Sequence, residues 1–362
     1  MKLRVVDLSR VLAGPFCSMI LADLGADVIK VERPGSGDET RGWGPPFDPT
    51  GQSAYFLSVN RNKKSIAADL SRPSDRDVVL DLIAKADVVV ENFLPGALRK
   101  LGIDADEQLR RNPALVWCTI TGFGADSSRP GYDFVIQAES GWMSITGEPG
   151  GPPMKVGVAL ADVIAGKDAA IAILGAIAER GGGVVDASRR KIVISLEASS
   201  VAALVNVAQN VLVSGEDALR WGNAHPNLVP YQLFDAADRP FVIAVGSDAQ
   251  WQQCAKALEL VDMAGDTALA ANAGRVANRD RVVRAIAERT REKSAQHWID
   301  RLNAADVPCG IVRGVREALT GTESNALTGV PPSVPGTRRM PPPRLDEHGD
   351  IIRKLGWRAF NP

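Results

Sequence analysis

An α/β fold with a mostly parallel sheet follows from three features of the sequence. Short runs rich in β-branched residues recur through the first two hundred positions, separated by helical stretches of roughly ten residues. These runs are apolar almost throughout, the pattern of strands covered on both faces rather than on one. Between the first two runs, Gly14-Pro15 starts a helix and Gly25 stops it, so a strand–helix–strand unit is explicit at the N-terminus.

Taken in order, Val5-Val6-Asp7-Leu8 is the first strand, the helix from Gly14-Pro15 runs to Leu24, and Val28-Ile29-Lys30-Val31 is the second strand. Ile66 to Leu70, a helix around Asp75 to Ala86, and Val88-Val89-Val90 form another unit of the same kind. Leu115 to Ile120 adds a strand that ends in Thr121-Gly122-Phe123-Gly124, and a helix follows Asp162 to about Arg180. Beyond Gly181-Gly182-Gly183 the pattern changes. Lys191 to Ser195 is one more strand, then a long helix runs from Glu197 to about Val213. Residues 226–234 read as irregular, Phe241 to Val245 as a strand, and 251–317 as helix-rich and charged. A Pro-rich extended tail from Pro331 to Pro343 ends in a helix from His348 to Leu355. A small second domain is expected between residues 220 and 315.

Composition removes several functions. Lys and Arg total 42 against 43 Asp and Glu, a net charge of −1 over 362 residues, so no excess charge points to nucleic acid. The N-terminus meets Asp7 before any apolar signal segment develops, and the longest apolar stretch, Ala169 to Ala178, is half a membrane span. Cys17, Cys118, Cys254 and Cys309 are far apart and form no CxxC pair; they read as reduced, mostly buried thiols. A soluble, cytoplasmic protein is expected. His225, His297 and His348 are the only histidines, which leaves little room for histidine-based metal sites or general-base triads.

Common motifs fail when tested. Gly35-Ser36-Gly37 follows a strand but has no glycine at 40, and Gly166-Lys167 lacks the preceding glycine and following hydroxyl of a phosphate loop. HExxH and GxSxG are absent. What stands out is Asp162, a carboxylate within Val156-Gly157-Val158-Ala159-Leu160-Ala161-Asp162-Val163-Ile164-Ala165-Gly166, placed just before a helix. Two readings fit it. An ionised carboxylate in an apolar setting is a nucleophile toward acyl groups; an Asp at this place is also an ordinary N-cap.

The ordered segments VVDLSRVLAGPFCSMILADLGADVIKVERPGSGDETRGW (5–43), NRNKKSIAADL (60–70), DVVVENFLPGAL (87–98), GYDFVIQAESGWMSITGE (131–148) and VGVALADVIAGKDAAIAILGAI (156–177) resemble the class III CoA-transferases. That superfamily includes formyl-CoA:oxalate and carnitine CoA-transferases and the α-methylacyl-CoA racemases. HPNLVPYQLF (225–234), VPCGIV (307–312) and LDEHGDIIRKLGW (345–357) continue the likeness nearly to the end. The resemblance implies coenzyme A and acyl-CoA as substrates, no tightly bound cofactor and no metal, with Asp162 as the residue that attacks the thioester. It implies CoA contacts at Val11 and Leu12 in the first strand-to-helix turn, and at Asn92, Phe93 and Ala97 in the ENFLPGA turn. Arg33 and Lys100 fall on phosphate-handling positions, Lys100 replacing a guanidinium of the formyl enzyme and so losing its fork geometry. On the residues alone, these are equally a surface Arg, a surface Lys and a turn-capping Asn.

Transferase and racemase are separated at one triplet. The racemases carry Gly-His-Asp where this chain has Gly131-Tyr132-Asp133, and a phenol with a pKa of about 10 is a poor proton shuttle. Tyr132 is therefore expected to line an acyl pocket, with Asp133 either a supporting carboxylate or a turn cap. The leading function is transfer of CoA between an acyl-CoA and a carboxylic acid; a racemase and an inactive CoA-binding paralogue are the alternatives. Residues 222–230 lack the glycine-rich flap of the formyl enzymes, and His225 within them fits either a turn or the active site. The segment between Ile311 and Leu345 is shorter than usual for the family. By resemblance, residues 1–215 with 320–362 form a Rossmann-like CoA-binding domain, residues 220–315 a small α+β domain, and the open, ring-like chain an interlocked homodimer.

Overall fold

A computed structural model describes residues 2–180 and 186–360. The Gly181–Gly183 turn, where the sequence pattern changes, lies outside the described residues. Six strands form one sheet: β1 (Arg4–Asp7), β2 (Asp27–Glu32), β3 (Lys63–Ala67), β4 (Val88–Glu91), β5 (Val116–Thr121) and β6 (Lys191–Ser195). All neighbours are parallel, in the order β3-β2-β1-β4-β5-β6. The chain reverses its direction of travel between β1 and β4, and the crevice at the carboxyl ends of that pair is where such sheets bind ligands.

Alternation along the strands divides the core. Val5, Val28, Val88, Val90, Val116 and Cys118 face the Ala13–Asp23 and Leu160–Glu179 helices. Val6, Ile29, Ile66, Val89 and Trp117 face the opposite way, toward the Pro73–Ala84 helix and the C-terminal Ile352 and Trp357. The two helices on the first face approach closely because Gly166 leaves room: a Cβ there would sit 2.7 Å from the Ala13 carbonyl oxygen. The C-terminal segment closes the outer edge at β3, where the His348 N–H donates to the Ser65 carbonyl and Asp346 Oδ1 accepts from the Ala67 N–H.

The chain forms two compact units, one of residues 1–143, 155–217 and 321–362, the other of 144–154 and 218–320. The second holds an antiparallel sheet of β7 (Tyr231–Asp235), β8 (Pro240–Ala244) and β9 (Cys309–Ile311) under a helical layer. Its core gathers Phe241, Trp251, Ile286 and Trp298, and its buried Arg275 donates to the carbonyls of Val229, Leu269 and Ala270.

Four local expectations are corrected. β3 begins at Lys63, not Ile66, because Lys63 and Ser65 are polar side chains that are nonetheless buried. The helix expected from Glu197 to Val213 is two helices, Leu196–Ala202 and Val205–Ser214, meeting at a 71° bend where Val205 has a positive φ. The end of the 226–234 stretch is strand β7, completed by pairing with β8. Asp162 is the third residue of its helix, which begins at Leu160 with Ala159 as N-cap, so the N-cap reading of Asp162 is ruled out. Among the described residues no single helix is long and apolar enough to cross a membrane, and no cluster of potential metal ligands occurs.

Candidate active site

Two cavities open at the carboxyl ends of the strands. One, of about 300 Å³, is walled by Val11, Leu12 and Ala13 after β1, Asn92 and Phe93 after β4, Ile120 to Gly122 at the end of β5, and Tyr132 and Asp162. The other, of about 540 Å³, is lined by Arg33, Gly37 and Ser71 on one side and Phe93, Ala97 and Lys100 on the other. Arg10, Phe93 and Leu94 line both. The residues singled out in the sequence thus separate: Val11, Leu12, Asn92, Tyr132 and Asp162 line the smaller cavity, and Arg33, Ala97 and Lys100 the larger, with Phe93 common to both.

Asp133 lines neither. Its Oδ1 accepts the Ala161 N–H at 2.9 Å and its Oδ2 accepts from Gln137 Nε2 at 2.7 Å, while Gln137 Oε1 accepts the Val156 N–H. Asp133 thereby satisfies an otherwise unpaired donor of the helix that carries Asp162. The Asp162 carboxylate has neither a hydrogen bond nor a cation among the described residues. Burial, helped by the Asp133 charge, pushes its pKa up to about 7. The Ala13–Asp23 helix starts on the same cavity and Asp162 lies in the first turn of its own helix, so two helix N-termini offer positive potential there.

The turn between β1 and the first helix is held under strain. Val11 has φ +71°, a left-handed conformation that costs a β-branched residue about 1–3 kcal/mol. Its N–H is shared by both oxygens of Asp38 at 3.3 Å. Behind the turn lies a closed set of buried charges. Asp38 Oδ2 pairs with Lys30 Nζ at 2.9 Å, Lys30 also donates to the Ser9 carbonyl, and Lys63 Nζ pairs with Asp7 at 3.0 Å. Ser9 and Ser18 hydroxyls complete the Asp7 shell. Despite complete burial, Lys63, Lys30 and these hydrogen bonds keep the Asp7 carboxyl well below the usual range, and burial brings Lys63 down to about 8.

Several groups at the site were not singled out in the sequence. Arg10 is one: its guanidinium pairs with Glu39 and lies 5.5 Å from the Phe93 ring, and its buried Nε has no hydrogen-bond partner. Arg129 also lines the smaller cavity, stacked over Phe123 and paired with Glu139. Tyr55 is held up at about 12 by burial and by the charges of Asp162, Asp133 and Asp38. The Arg of Ser9-Arg10-Val11 was visible as a charge beside a predicted turn; Tyr55 left no signal. The Cys17, Cys118 and Cys254 thiols are buried and pushed up by that burial, which leaves them inert.

Comparison with known proteins places this geometry. The family described as CoA-transferase family III matches residues 2–344. The chain is 39% identical to succinyl-CoA:glutarate CoA-transferase of Mus musculus, over 97% of this chain and 85% of that protein. It is 36% identical to acetyl-CoA:oxalate CoA-transferase of Acetobacter aceti, over 97% and 94% respectively. Among solved structures, a CAIB/BAIF family protein from Brucella suis superposes with a TM-score of 0.84 at 39% identity, covering 97% of each chain.

Proposed function

The chain belongs to CoA-transferase family III and is an enzyme that moves CoA between acyl-CoA and carboxylates, and we propose that it does so through covalent intermediates on Asp162. One observation carries this reading: the Asp162 carboxylate lines a cavity, half-buried and without a cation to neutralise it. Such a carboxylate is poorly solvated and therefore a stronger nucleophile than a paired one. One Asp162 oxygen attacks the thioester carbonyl, the C–S bond breaks, CoA thiolate leaves, and a mixed anhydride remains. The thiolate then attacks the aspartyl carbonyl, giving an aspartyl-CoA thioester and releasing the donor carboxylate. The acceptor carboxylate attacks that thioester, and the returning thiolate takes the new acyl group and frees Asp162. Proton transfer is needed at no step, which suits a site without histidine.

CoA is the substrate, with its phosphates beside Arg33 and Lys100, neither of which has an ion-pair partner among the described residues, and its pantetheine arm passing Phe93 to Asp162. Val11, Leu12 and Ala97 supply its walls, and Tyr132 the wall of the acyl pocket. Asp133 and Asn92 support the site through helix and turn backbone. The acceptor acid is dicarboxylic, as glutarate and oxalate are in the names of these two curated relatives. A second carboxylate in the smaller cavity would meet the Arg10 guanidinium, which lines that cavity beside Glu39. A homodimer is part of this reading, since the Val205–Ser214 helix buries none of its residues and leaves Leu212 77% exposed. The reduced, buried thiols suit a cytoplasmic enzyme.

Incubation with succinyl-CoA followed by hydroxylamine tests the mechanism by mass spectrometry, with the expected adduct on Asp162. Exchange that survives in Asp162→Ala would refute it.

A further inference from the structure

In the turn after β1, the Ser9 carbonyl, both backbone polar groups of Arg10 and the Val11 N–H are each held by a side chain from a distant part of the chain. The Ser9 N–H donates to Asp7 Oδ1 and the Ser9 carbonyl accepts from Lys30 Nζ, both at 2.9 Å. The Arg10 N–H donates to Asn92 Oδ1 at 2.9 Å, and Asn92 Nδ2 donates back to the Arg10 carbonyl at 2.8 Å. The Val11 N–H is taken by Asp38, itself fixed by Lys30 and by the Thr40 N–H and hydroxyl. This clamp bridges β1 and β4, the pair at which the sheet reverses its order.

We propose that Asp38, Lys30 and Asn92 are positioning residues for CoA transfer, holding Val11 left-handed so that the start of the Ala13–Asp23 helix stays fixed against Asp162. The proposal rests on the transferase reading of the cavity. Its physical basis is over-determination: a strained residue persists only where its surroundings enforce it, and such places concentrate at working sites. Valine is a poor choice for this conformation and glycine a cheap one, so the strain is borne by the clamp rather than relieved by the residue. Released, Val11 relaxes toward negative φ and carries Leu12 and Ala13, which line the Asp162 cavity, out of place. A displacement of about 1 Å at a reacting centre costs roughly 100-fold in rate.

The test compares Asn92→Ala and Asp38→Asn with the wild type in CoA exchange between succinyl-CoA and glutarate. Turnover is counted per site able to form the Asp162 adduct, which removes any misfolded fraction from the comparison. The expected result is a fall in kcat of roughly 30- to 100-fold; for Asn92→Ala, whose side chain does not line the cavity that holds Arg33 and Lys100, KM for succinyl-CoA should stay within about threefold. Adding Val11→Gly to Asp38→Asn should restore kcat by roughly tenfold, since glycine adopts the left-handed turn without the clamp. A purely structural role for Asp38 would show no such rescue. The proposal is overturned if Asn92→Ala keeps kcat within threefold of wild type, or if Val11→Gly fails to rescue folded Asp38→Asn. Should Asp38→Asn not fold, Asn92→Ala decides, because it removes a half-buried neutral side chain and no charge. Wild type that exchanges no CoA would instead sink the transferase reading, leaving the two failures distinguishable.

Discussion

Two groups of carboxylates lie near the carboxyl ends of the parallel strands, one fully buried around Asp7 and one half-buried around Asp162, and they have been treated in opposite ways. Asp7 is surrounded by Lys63, Lys30, Ser9 and Ser18, every one of its acceptor positions is used, and its carboxyl is held far into the ionised range. Asp162 has as its main electrostatic neighbour a second carboxylate, Asp133, and its pKa is raised to about 7. Desolvation acts on both, and the more deeply buried Asp7 is the inert one, so desolvation alone does not make a carboxylate reactive. The neighbours decide: cations and hydroxyls turn Asp7 into a fixed part of the scaffold, while their absence leaves Asp162 an anion of high free energy with a cavity in front of it.

The sharpest way to break this contrast is to neutralise each member. Asp162→Asn should lower exchange by more than about 1,000-fold, as expected when a covalent nucleophile is removed, and the assay of CoA transfer reads it directly. The same change should stabilise the fold. A carboxyl whose folded pKa lies above its unfolded value costs stability as pH rises from about 4 to about 7, and the cost is complete above that. The gain in Asp162→Asn is therefore absent near pH 4 and on the order of 1–3 kcal/mol at pH 8, read from urea unfolding at both pH values. Asp7→Asn should do the reverse, destabilising by about 3–5 kcal/mol at pH 7 because Lys63 loses its partner in the interior. With a depressed pKa, the contribution of Asp7 is present above the ordinary carboxylate range and fades as pH falls through the lowered value. If Asp7→Asn were as stable as wild type, the distinction between scaffold and site would fail.

A smaller effect separates side chain from backbone at Arg10. Arg10→Gln leaves the Asn92 clamp on its main chain intact and removes only the guanidinium. KM for glutarate should rise by roughly ten- to 100-fold, the worth of one hydrogen bond to a charged group, with little change for a monocarboxylic acceptor such as butyrate. Equal losses on both acids would place the guanidinium on CoA instead.

The legibility of these two groups in the sequence was unequal for a physical reason. The α/β class and the parallel strands follow from β-branched runs such as Val88-Val89-Val90, whose pattern is local. Asp162 is visible because a single acid interrupts an apolar run. The scaffold group is not visible, because its members are meaningless apart. Lys63 reads as a surface residue and so displaces the expected start of β3, Asp38 reaches Val11 across 27 positions, and Asn92 reaches Arg10 across 82. The break between the Leu196–Ala202 and Val205–Ser214 helices is equally silent: no proline or glycine marks it.

The finest probe of the contrast is the charge on Asp133. The attacking form of Asp162 is the carboxylate, so formation of the Asp162 adduct should rise with pH through a limb near 7, gaining roughly tenfold between pH 6 and pH 8. Asp133→Asn keeps an oxygen for the Ala161 N–H but removes the like charge, which favours ionisation of Asp162. Because burial is the larger cause of the raised value and Asp133 the smaller, the limb should move down by roughly half a unit to one unit rather than return to that of a free carboxylate. A limb that stays in place would mean that burial acts alone; one that falls to near pH 4 would mean that Asp133 had been the dominant cause. Only the intermediate shift agrees with a nucleophile kept reactive mainly by its dry surroundings and adjusted by a neighbour that also caps its helix.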